Sequence, residues 1–287
     1  MTGYVVLCPN PYRDIGFKFT LRAAELLKKE GIPVVLSPVF DWDGKVLLPE
    51  NVEVLPLEQA AECARLVVSF GGDGTILHTA RGLLRTSVPI LGVNLGTKGF
   101  LAELEPNELQ LLLKAARGDF VPVPRMMLDV SLFRDGKEIF TDSALNDAVV
   151  SGIAHAVRIA ALGDGQVITE FSGDGMIVAT PTGSTAYSMS AGGPLVEPTA
   201  ENMILTPICP HALAARSFVL APDRQVKLYP KDLRGKRAVL SVDGGEPIDL
   251  CQGDEIHISK SQYVTMLAKV SSKSFYDIAF EKLSERK

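Results

Sequence analysis

The stretch Arg65–Leu77, reading RLVVSFGGDGTIL, constrains this chain more than any other. Leu66, Val67 and Val68 run into Ser69 and Phe70, an apolar run long enough for a buried parallel strand and too short for a helix. The pattern then breaks at Gly71, Gly72 and Gly74, residues that allow a ligand to approach the main chain closely. Thr75 can cap a following helix whose apolar positions are Ile76, Ala80, Leu83 and Leu84. A strand that turns through glycines into a helix start presents free N–H groups and the positive end of the helix dipole, which suits phosphate oxygens. Asp73 is the one charge in that turn. It can serve as general base on a hydroxyl attacking phosphorus, or help hold magnesium. An ordinary Asp-Gly turn is the plain alternative. The sequence is neither a Walker A loop nor the dinucleotide fingerprint of three spaced glycines.

Strand and helix alternate around this turn. Tyr4–Cys8, Pro33–Leu36 and Pro89–Val93 read as strands. Phe17–Glu30, Leu57–Ala64 and Glu108–Arg117 read as helices, with Phe17, Leu21, Ala24 and Leu27 on one face of the first. The segment from Phe40 to Glu53 reads as polar and exposed. This order predicts a parallel sheet with helices on its faces and a ligand at the carboxyl ends of the strands. GVNLGTKGF, at 92–100, belongs at that edge, where either Asn94 or Phe100 can face a ligand.

After Val121-Pro122-Val123-Pro124 the texture changes to short alternating runs separated by turns at Asp135-Gly136, Gly163-Asp164-Gly165, Gly173-Asp174-Gly175 and Asp243-Gly244-Gly245. Such spacing predicts an antiparallel sandwich or paired sheets. The expected fold is therefore an α/β N-terminal domain with a Rossmann-like parallel sheet, residues 1–120, and an all-β sandwich-like C-terminal domain, residues 121–268. Residues 269–287, with Phe275, Ile278, Phe280 and Leu283 among charges, are expected to return to the first domain.

In the second half, DGMIVATPTGSTAYSMSAGGP (174–194) crowds Thr180, Thr182, Ser184, Thr185, Ser188 and Ser190 among glycines, a surface suited to a polar ligand with many oxygens. Asn146-Asp147 sets a side-chain amide beside a carboxylate, a pair able to grip two ribose hydroxyls. A net charge of −5 argues against a general nucleic-acid binder. The longest weakly polar stretch, Ala148–Leu162, is broken by His155 and Arg158 and is too short for a membrane span. Cys8, Cys63, Cys209 and Cys251 show no zinc or disulfide spacing and fit a reducing cytosol.

In order along the chain, GGDGT (71–75), GVNLGTKGF (92–100), ALND (144–147), DGMIVATPTGSTAYSMSAGGP (174–194) and TPICPHALAAR (206–216) resemble the NAD kinase family. GGDGT alone is shared with lipid kinases; its combination with TPTGSTAY is highly specific. The resemblance implies that Asp73 accepts the proton of the adenosine ribose 2′-hydroxyl of NAD, with Gly71, Gly72, Gly74 and Thr75 by the donor phosphates. Asn146 and Asp147 would bind a ribose. Asp174, Thr185, Ala186, Tyr187, Ser188, Met189, Ser190 and Cys209 would line the dinucleotide site, with Phe100 near its base and His78 and Arg158 in contact with it. It further implies ATP as phosphoryl donor, a divalent metal ion, usually magnesium, a cytoplasmic location and a homodimer or homotetramer, with no nucleic-acid or membrane partner. The chain departs from the family pattern at Ser172, often basic, at Cys209, commonly Ala, at Gly245, usually Gln, and at Lys98, usually apolar. A lipid kinase and a catalytically silent NAD or NADP sensor are the rival readings.

Overall fold

The computed structural model describes residues 3–42, 46, 52–96, 99–212, 215–233 and 235–284. Thr97, Lys98, Leu213, Ala214 and much of 43–51 lie outside the described residues, as do 285–287. The chain divides into two compact units, Met1–Pro124 with Thr265–Lys287, and Arg125–Val264.

In the first unit, β1 (Tyr4–Pro9) leads through α1 (Lys18–Lys29) to β2 (Val34–Leu36) and the short β3 (Glu53–Val54). α2 (Leu57–Ala61), β4 (Ala64–Gly71), α3 (Asp73–Gly82), β5 (Ile90–Asn94) and α4 (Leu112–Ala116) follow. The strands pair in parallel in the order β5-β4-β1-β2-β3. Val6, the middle of β1, sits opposite both Val35 and Val67. β4 lies on one side of β1 and β2 on the other, so the strand order reverses between β1 and β4. That crevice, at the carboxyl ends of the strands, is where open α/β sheets receive ligands. β1 and β4 are almost wholly buried, as strands covered on both faces must be. Leu7, Phe17, Leu27, Leu66, Phe70, Leu91 and Leu112 are the bulk of one core face.

Two expectations need correction here. Phe40–Glu53 is not uniformly exposed, because Trp42 packs on Phe17 with ring centroids 5.2 Å apart, and Trp42, Val46 and Val52 lie against the core. The expected single helix at 108–117 is a tight 3-10 turn, Pro106–Leu111, before α4. Glu105 and Glu108 form a reciprocal capping box there, and Pro106 sets the entry.

The second unit takes in β6 (Val121–Arg134) from Arg125 on, β7 (Lys137–Ala144), β8 (Asp147–Ile153), β9 (Val157–Gly163), β10 (Gln166–Gly173), β11 (Gly175–Ala179) and α5 (Tyr187–Ser190). Then come β12 (Met203–Ile208), β13 (Phe218–Leu220), β14 (Val226–Lys231), β15 (Arg237–Val242) and β16 (Ile248–Leu250). One antiparallel sheet runs β13-β12-β11-β8-β15-β16. β6 with β7, and β10-β9-β14 with the first part of β17 (Glu255–Lys269), make the facing layer. Val130, Val150, Ile159, Met176, Val178, Leu205, Leu228, Leu240 and Ile256 fill the space between the layers. The alternate residues Val149, Ile177, Ala179 and Ile204 form a smaller cluster on the other side of the first sheet, the period-2 signature of strands.

The expected class, a parallel α/β part and an antiparallel sandwich, holds. Three Asp-Gly pairs behave as hairpin turns with both φ angles positive: Asp135-Gly136 (52° and 74°), Asp164-Gly165 (50° and 80°) and Asp243-Gly244 (49° and 67°). Gly173-Asp174-Gly175 differs. Here the chain passes from β10 in one layer to β11 in the other, and Gly175 is required because a Cβ would stand 2.4 Å from the Val150 carbonyl oxygen. The last turns of chain return to the first unit, where Leu267 of β17 pairs in parallel with Ile90, and α6 (Phe275–Ser284) follows.

Candidate functional site

The first cluster grows from the end of β4. Gly71 has no space for a side chain, since a Cβ would fall 2.1 Å from Thr75 Oγ1. Thr75 is not the helix cap expected from its place in the sequence: Gly72 is the N-cap, and α3 begins at Asp73. Thr75 is instead buried and accepts a hydrogen bond from Asn10 Nδ2 at 2.9 Å, tying the end of β1 to the first turn of α3.

Asp73 sits in that first turn, where the helix dipole favours a negative charge. Its carboxylate receives the N–H of Phe100 on Oδ2 at 2.6 Å and the N–H of Leu101 on Oδ1 at 3.1 Å. A Cβ on Gly99 would lie 1.8 Å from Oδ1, so the second glycine loop can close on the acid only without a side chain there. Each carboxylate oxygen has another lone pair, so the two backbone bonds orient the acid and leave acceptor capacity. The ammonium of Lys282 stands 4.1 Å over the Phe100 ring. Of the two residues expected to face a ligand in this loop, Asn94 is otherwise engaged. It is buried, Nδ2 donates to Glu105, and Oδ1 accepts from the Gly96 N–H at 3.1 Å.

His78, three residues after Thr75 on α3, stacks on Phe40 with centroids 4.7 Å apart. Partial burial, and then the Arg81 charge, hold its imidazole below the ordinary histidine pKa.

In the second unit, Asn146 and Asp147 lie at the start of β8, in a turn gripped from several directions. The Asp243 carboxylate accepts the N–H groups of Leu145 at 2.7 Å, Asn146 at 2.8 Å and Asp147 at 3.0 Å. The Asp243 N–H donates back to the Asp147 carbonyl at 2.9 Å. Thr180 donates its hydroxyl to the Leu145 carbonyl at 2.6 Å and its N–H to the Asn146 carbonyl at 2.8 Å. A Cβ on Gly183 would stand 2.1 Å from the Asn146 carbonyl oxygen. Within this frame Asn146 Oδ1 and Thr182 Oγ1 are buried without a hydrogen-bond partner. Buried polar atoms are seldom left so. Thr182 belongs to the hydroxyl-rich surface that the sequence marks for a polar ligand, but in a run of six hydroxyls nothing local distinguishes it from the others.

Burial, with the Asp243 charge adding to it, raises the Asp147 carboxyl to about 7. Unfolded, it releases its proton at about pH 4. Between those values the native state holds the extra proton, so stability falls as pH rises through that window. Asp147→Asn is expected to remove this slope: denaturant unfolding should show the variant gaining on wild type from pH 5 to pH 8. Parallel pH dependences would contradict it.

The hydroxyl-rich run is less irregular than the sequence suggests, with a 3-10 turn at Gly183–Thr185 and α5 carrying Tyr187, Ser188, Met189 and Ser190. Ala186 is the residue between them. Ser188 is buried and shares a 2.9 Å hydrogen bond with Thr206, so its hydroxyl is part of the framework, while Tyr187 is 46% exposed. The Thr185 hydroxyl turns back to the Thr182 carbonyl at 3.1 Å. Asp174, exposed at the crossing between layers, bonds Cys209, and that bond raises the Cys209 thiol. Cys209 itself takes a φ of 43°. Arg158 pairs with Glu170 at 2.7 Å and lies 3.7 Å from Asp232.

Among the described residues no three carboxylates, imidazoles or thiols converge in a manner that could hold a metal. No helix among them is long and apolar enough to cross a membrane.

Comparison with known proteins gives a consistent picture. Residues 44–118 match the family model for the ATP-NAD kinase N-terminal domain, and 146–270 match that for the ATP-NAD kinase C-terminal domain. The NAD kinase of Ruminiclostridium cellulolyticum is 37% identical over 281 residues, covering 97% of this chain and 96% of the relative. That of Natranaerobius thermophilus is 38% identical over 283 residues, covering 98% and 97%. Among solved structures, yeast NADH kinase complexed with NADH superposes with a TM-score of 0.85 at 26% identity, over 100% of this chain and 89% of the yeast chain. An NAD kinase from Archaeoglobus fulgidus in complex with ATP gives 0.76 at 29% identity, over 97% and 98%.

Proposed function

This chain belongs to the ATP-NAD kinase family, and from that premise we propose that Asp73 receives the proton of the adenosine 2′-hydroxyl of NAD as the γ-phosphoryl group of ATP passes to that oxygen. The chain is a phosphotransferase that makes NADP from NAD and ATP. In the step, the bond from γ-phosphorus to the ADP oxygen breaks, the bond to the ribose oxygen forms, and the hydroxyl proton moves to the Asp73 carboxylate.

The observation that carries this reading is the setting of Asp73: a carboxylate in the first turn of a glycine-led helix, fixed by two backbone N–H groups. Phosphoryl transfer asks little covalent chemistry of a protein and much positioning. The glycine amides at 71–74 suit phosphate oxygens, and Asn146 with Asp147 suits a ribose. The orphaned Asn146 Oδ1 accepts a ribose hydroxyl, and the Asp147 carboxyl, raised to about 7 by burial and the Asp243 charge, donates when protonated and accepts in either form. Asp174, Thr185, Ala186, Tyr187, Met189, Ser190 and Cys209 present a mixed polar edge to the rest of the dinucleotide.

The divalent ion, magnesium in this proposal, neutralises phosphate charge when bound. Magnesium takes most of its shell from water and phosphate oxygens and needs only one or two carboxylates. Asp73 would hold the ion together with phosphate oxygens and water. We place the enzyme in the cytoplasm as a homodimer or homotetramer, which sedimentation of the pure protein tests.

The function is tested by incubating pure protein with NAD, ATP and magnesium and scoring the product with an NADP-specific dehydrogenase. One NADP per ADP released is the expected result. NAD binding without NADP formation, from either ATP or inorganic polyphosphate, would establish the sensor reading instead.

A further inference from the structure

The loop that fixes Asp73 is itself held, and from two directions. Its root is closed where the Glu103 and Leu104 N–H groups both donate to the Gly92 carbonyl at 3.0 Å and the Leu104 carbonyl accepts the Asn94 N–H at 2.8 Å. Ahead of that closure the Phe100 and Leu101 N–H groups reach the acid. The second hold comes from the segment that follows β17. Glu103 Oε1 accepts the N–H groups of Val270 at 2.8 Å and Ser271 at 2.5 Å, so the approach to α6 is tied to the same loop.

α6 then reaches back to that loop a second time. At ten residues it is too short to be stable alone, and little of it is packed: Ala279 is buried, but Tyr276, Phe280 and Leu283 are mostly exposed. Its start is secured by a reciprocal cap. The Asp277 carboxylate accepts the Ser274 N–H at 2.8 Å and the Ser274 hydroxyl at 2.7 Å, while the Asp277 N–H donates to Ser274 Oγ at 3.1 Å. Its last turn carries Lys282, whose ammonium lies 4.1 Å from the centre of the Phe100 ring. A cation at that distance is attracted by the negative face of the ring, and more strongly where water is partly excluded. Lys282 and Phe100 are each half-buried. Phe100 therefore has two partners, Lys282 on its ring and Asp73 on its N–H.

We propose that Lys282 is a positioning residue for the phosphoryl transfer: by holding the Phe100 ring it keeps the 99–101 backbone on the Asp73 carboxylate, so that the acid meets the ribose hydroxyl in one orientation. A carboxylate that must take a proton during the transfer loses rate when it is free to turn, because the productive geometry is then one of several. Lys282 acts through Phe100 and needs no contact with either substrate. The assignment rests on the kinase reading of Asp73 and names a residue that acts through it.

The test uses the full chain with Lys282→Met, which keeps the aliphatic stem and loses the charge, Lys282→Arg, which keeps a cation able to stack on the ring, and Phe100→Leu with and without Lys282→Met. Lys282→Met is expected to lower kcat about fivefold, the scale of one partly buried cation–aromatic contact, with the KM for NAD and for ATP within twofold of wild type. Lys282→Arg should restore kcat. In the Phe100→Leu background Lys282→Met should cost less than twofold, since the ring through which it acts is gone. Amide hydrogen exchange of the substrate-free protein reads the same hold without catalysis: the Phe100 and Leu101 amides should exchange about fivefold faster in Lys282→Met and at the wild-type rate in Lys282→Arg. Unchanged kcat or unchanged exchange in Lys282→Met, the same loss of kcat in both backgrounds, or a rise in the KM for ATP in place of the fall in kcat overturns the assignment. If wild type makes no NADP the kinase reading falls, while amide exchange still decides whether Lys282 holds the loop.

Discussion

Asp73→Asn should lower turnover by about 10²- to 10⁴-fold, the range that a positioned general base contributes, while NAD affinity by calorimetry stays within a few-fold of wild type. The amide is nearly isosteric, so the first turn of α3 remains filled. It differs in two ways. It accepts no proton at neutral pH, and it offers one acceptor oxygen where the carboxylate offers two, to the N–H groups of Phe100 and Leu101. One backbone donor therefore loses its partner and the 99–101 loop is held by a single bond. A purely structural Asp73 would show only this second effect, a modest fall in melting temperature with turnover nearly kept. A variant retaining more than a tenth of the wild-type rate would remove Asp73 from the proton transfer.

The double duty of this acid explains why some of the molecule could be read from the sequence and some could not. The strand, the glycines and the helix after them were legible because each follows from local rules: an apolar run, free backbone angles, a 3.6-residue period. The same is true of the three Asp-Gly hairpins, whose positive φ pairs that dipeptide supplies. What was not legible depends on partners distant in the chain. Thr75 looks like a cap until Asn10, 65 residues earlier, claims its hydroxyl. Asn94 looks like a ligand contact until Glu105 takes its amide. Gly173-Asp174-Gly175 has the composition of a hairpin turn, yet it carries the chain from one layer to the other, because Gly173 and Gly175 press against the backbone of other strands. Asn146-Asp147 was legible as a pair of ligand-binding types. The device that holds it was not, for Asp243 is nearly a hundred residues away and reads as one more turn residue.

That device gives the second large effect. Asp243→Ala should destabilise the protein by about 3–5 kcal/mol, since the N–H groups of Leu145, Asn146 and Asp147 lose one shared acceptor in a largely buried turn, and each orphaned donor costs about 1–3 kcal/mol. Alanine also tolerates the φ of 49° at this position poorly. In thermal unfolding this corresponds to a fall of about 10 °C. Asp243→Asn keeps one oxygen and a side chain at ease in the left-handed region, so its loss should be clearly smaller. The two variants also separate framework from charge. Without the carboxylate of Asp243, one of the two influences that raise the Asp147 carboxyl disappears, so in Asp243→Asn the Asp147 proton should leave at lower pH, and the stability slope assigned to Asp147 should move with it. Because Asp243 touches the turn that carries Asn146, the KM for NAD should rise in both variants while the KM for ATP holds. Wild-type stability and an unchanged NAD KM in Asp243→Ala would show that the turn needs no such clasp, and that Asn146 reaches its position by packing against Thr180 and Gly183 alone.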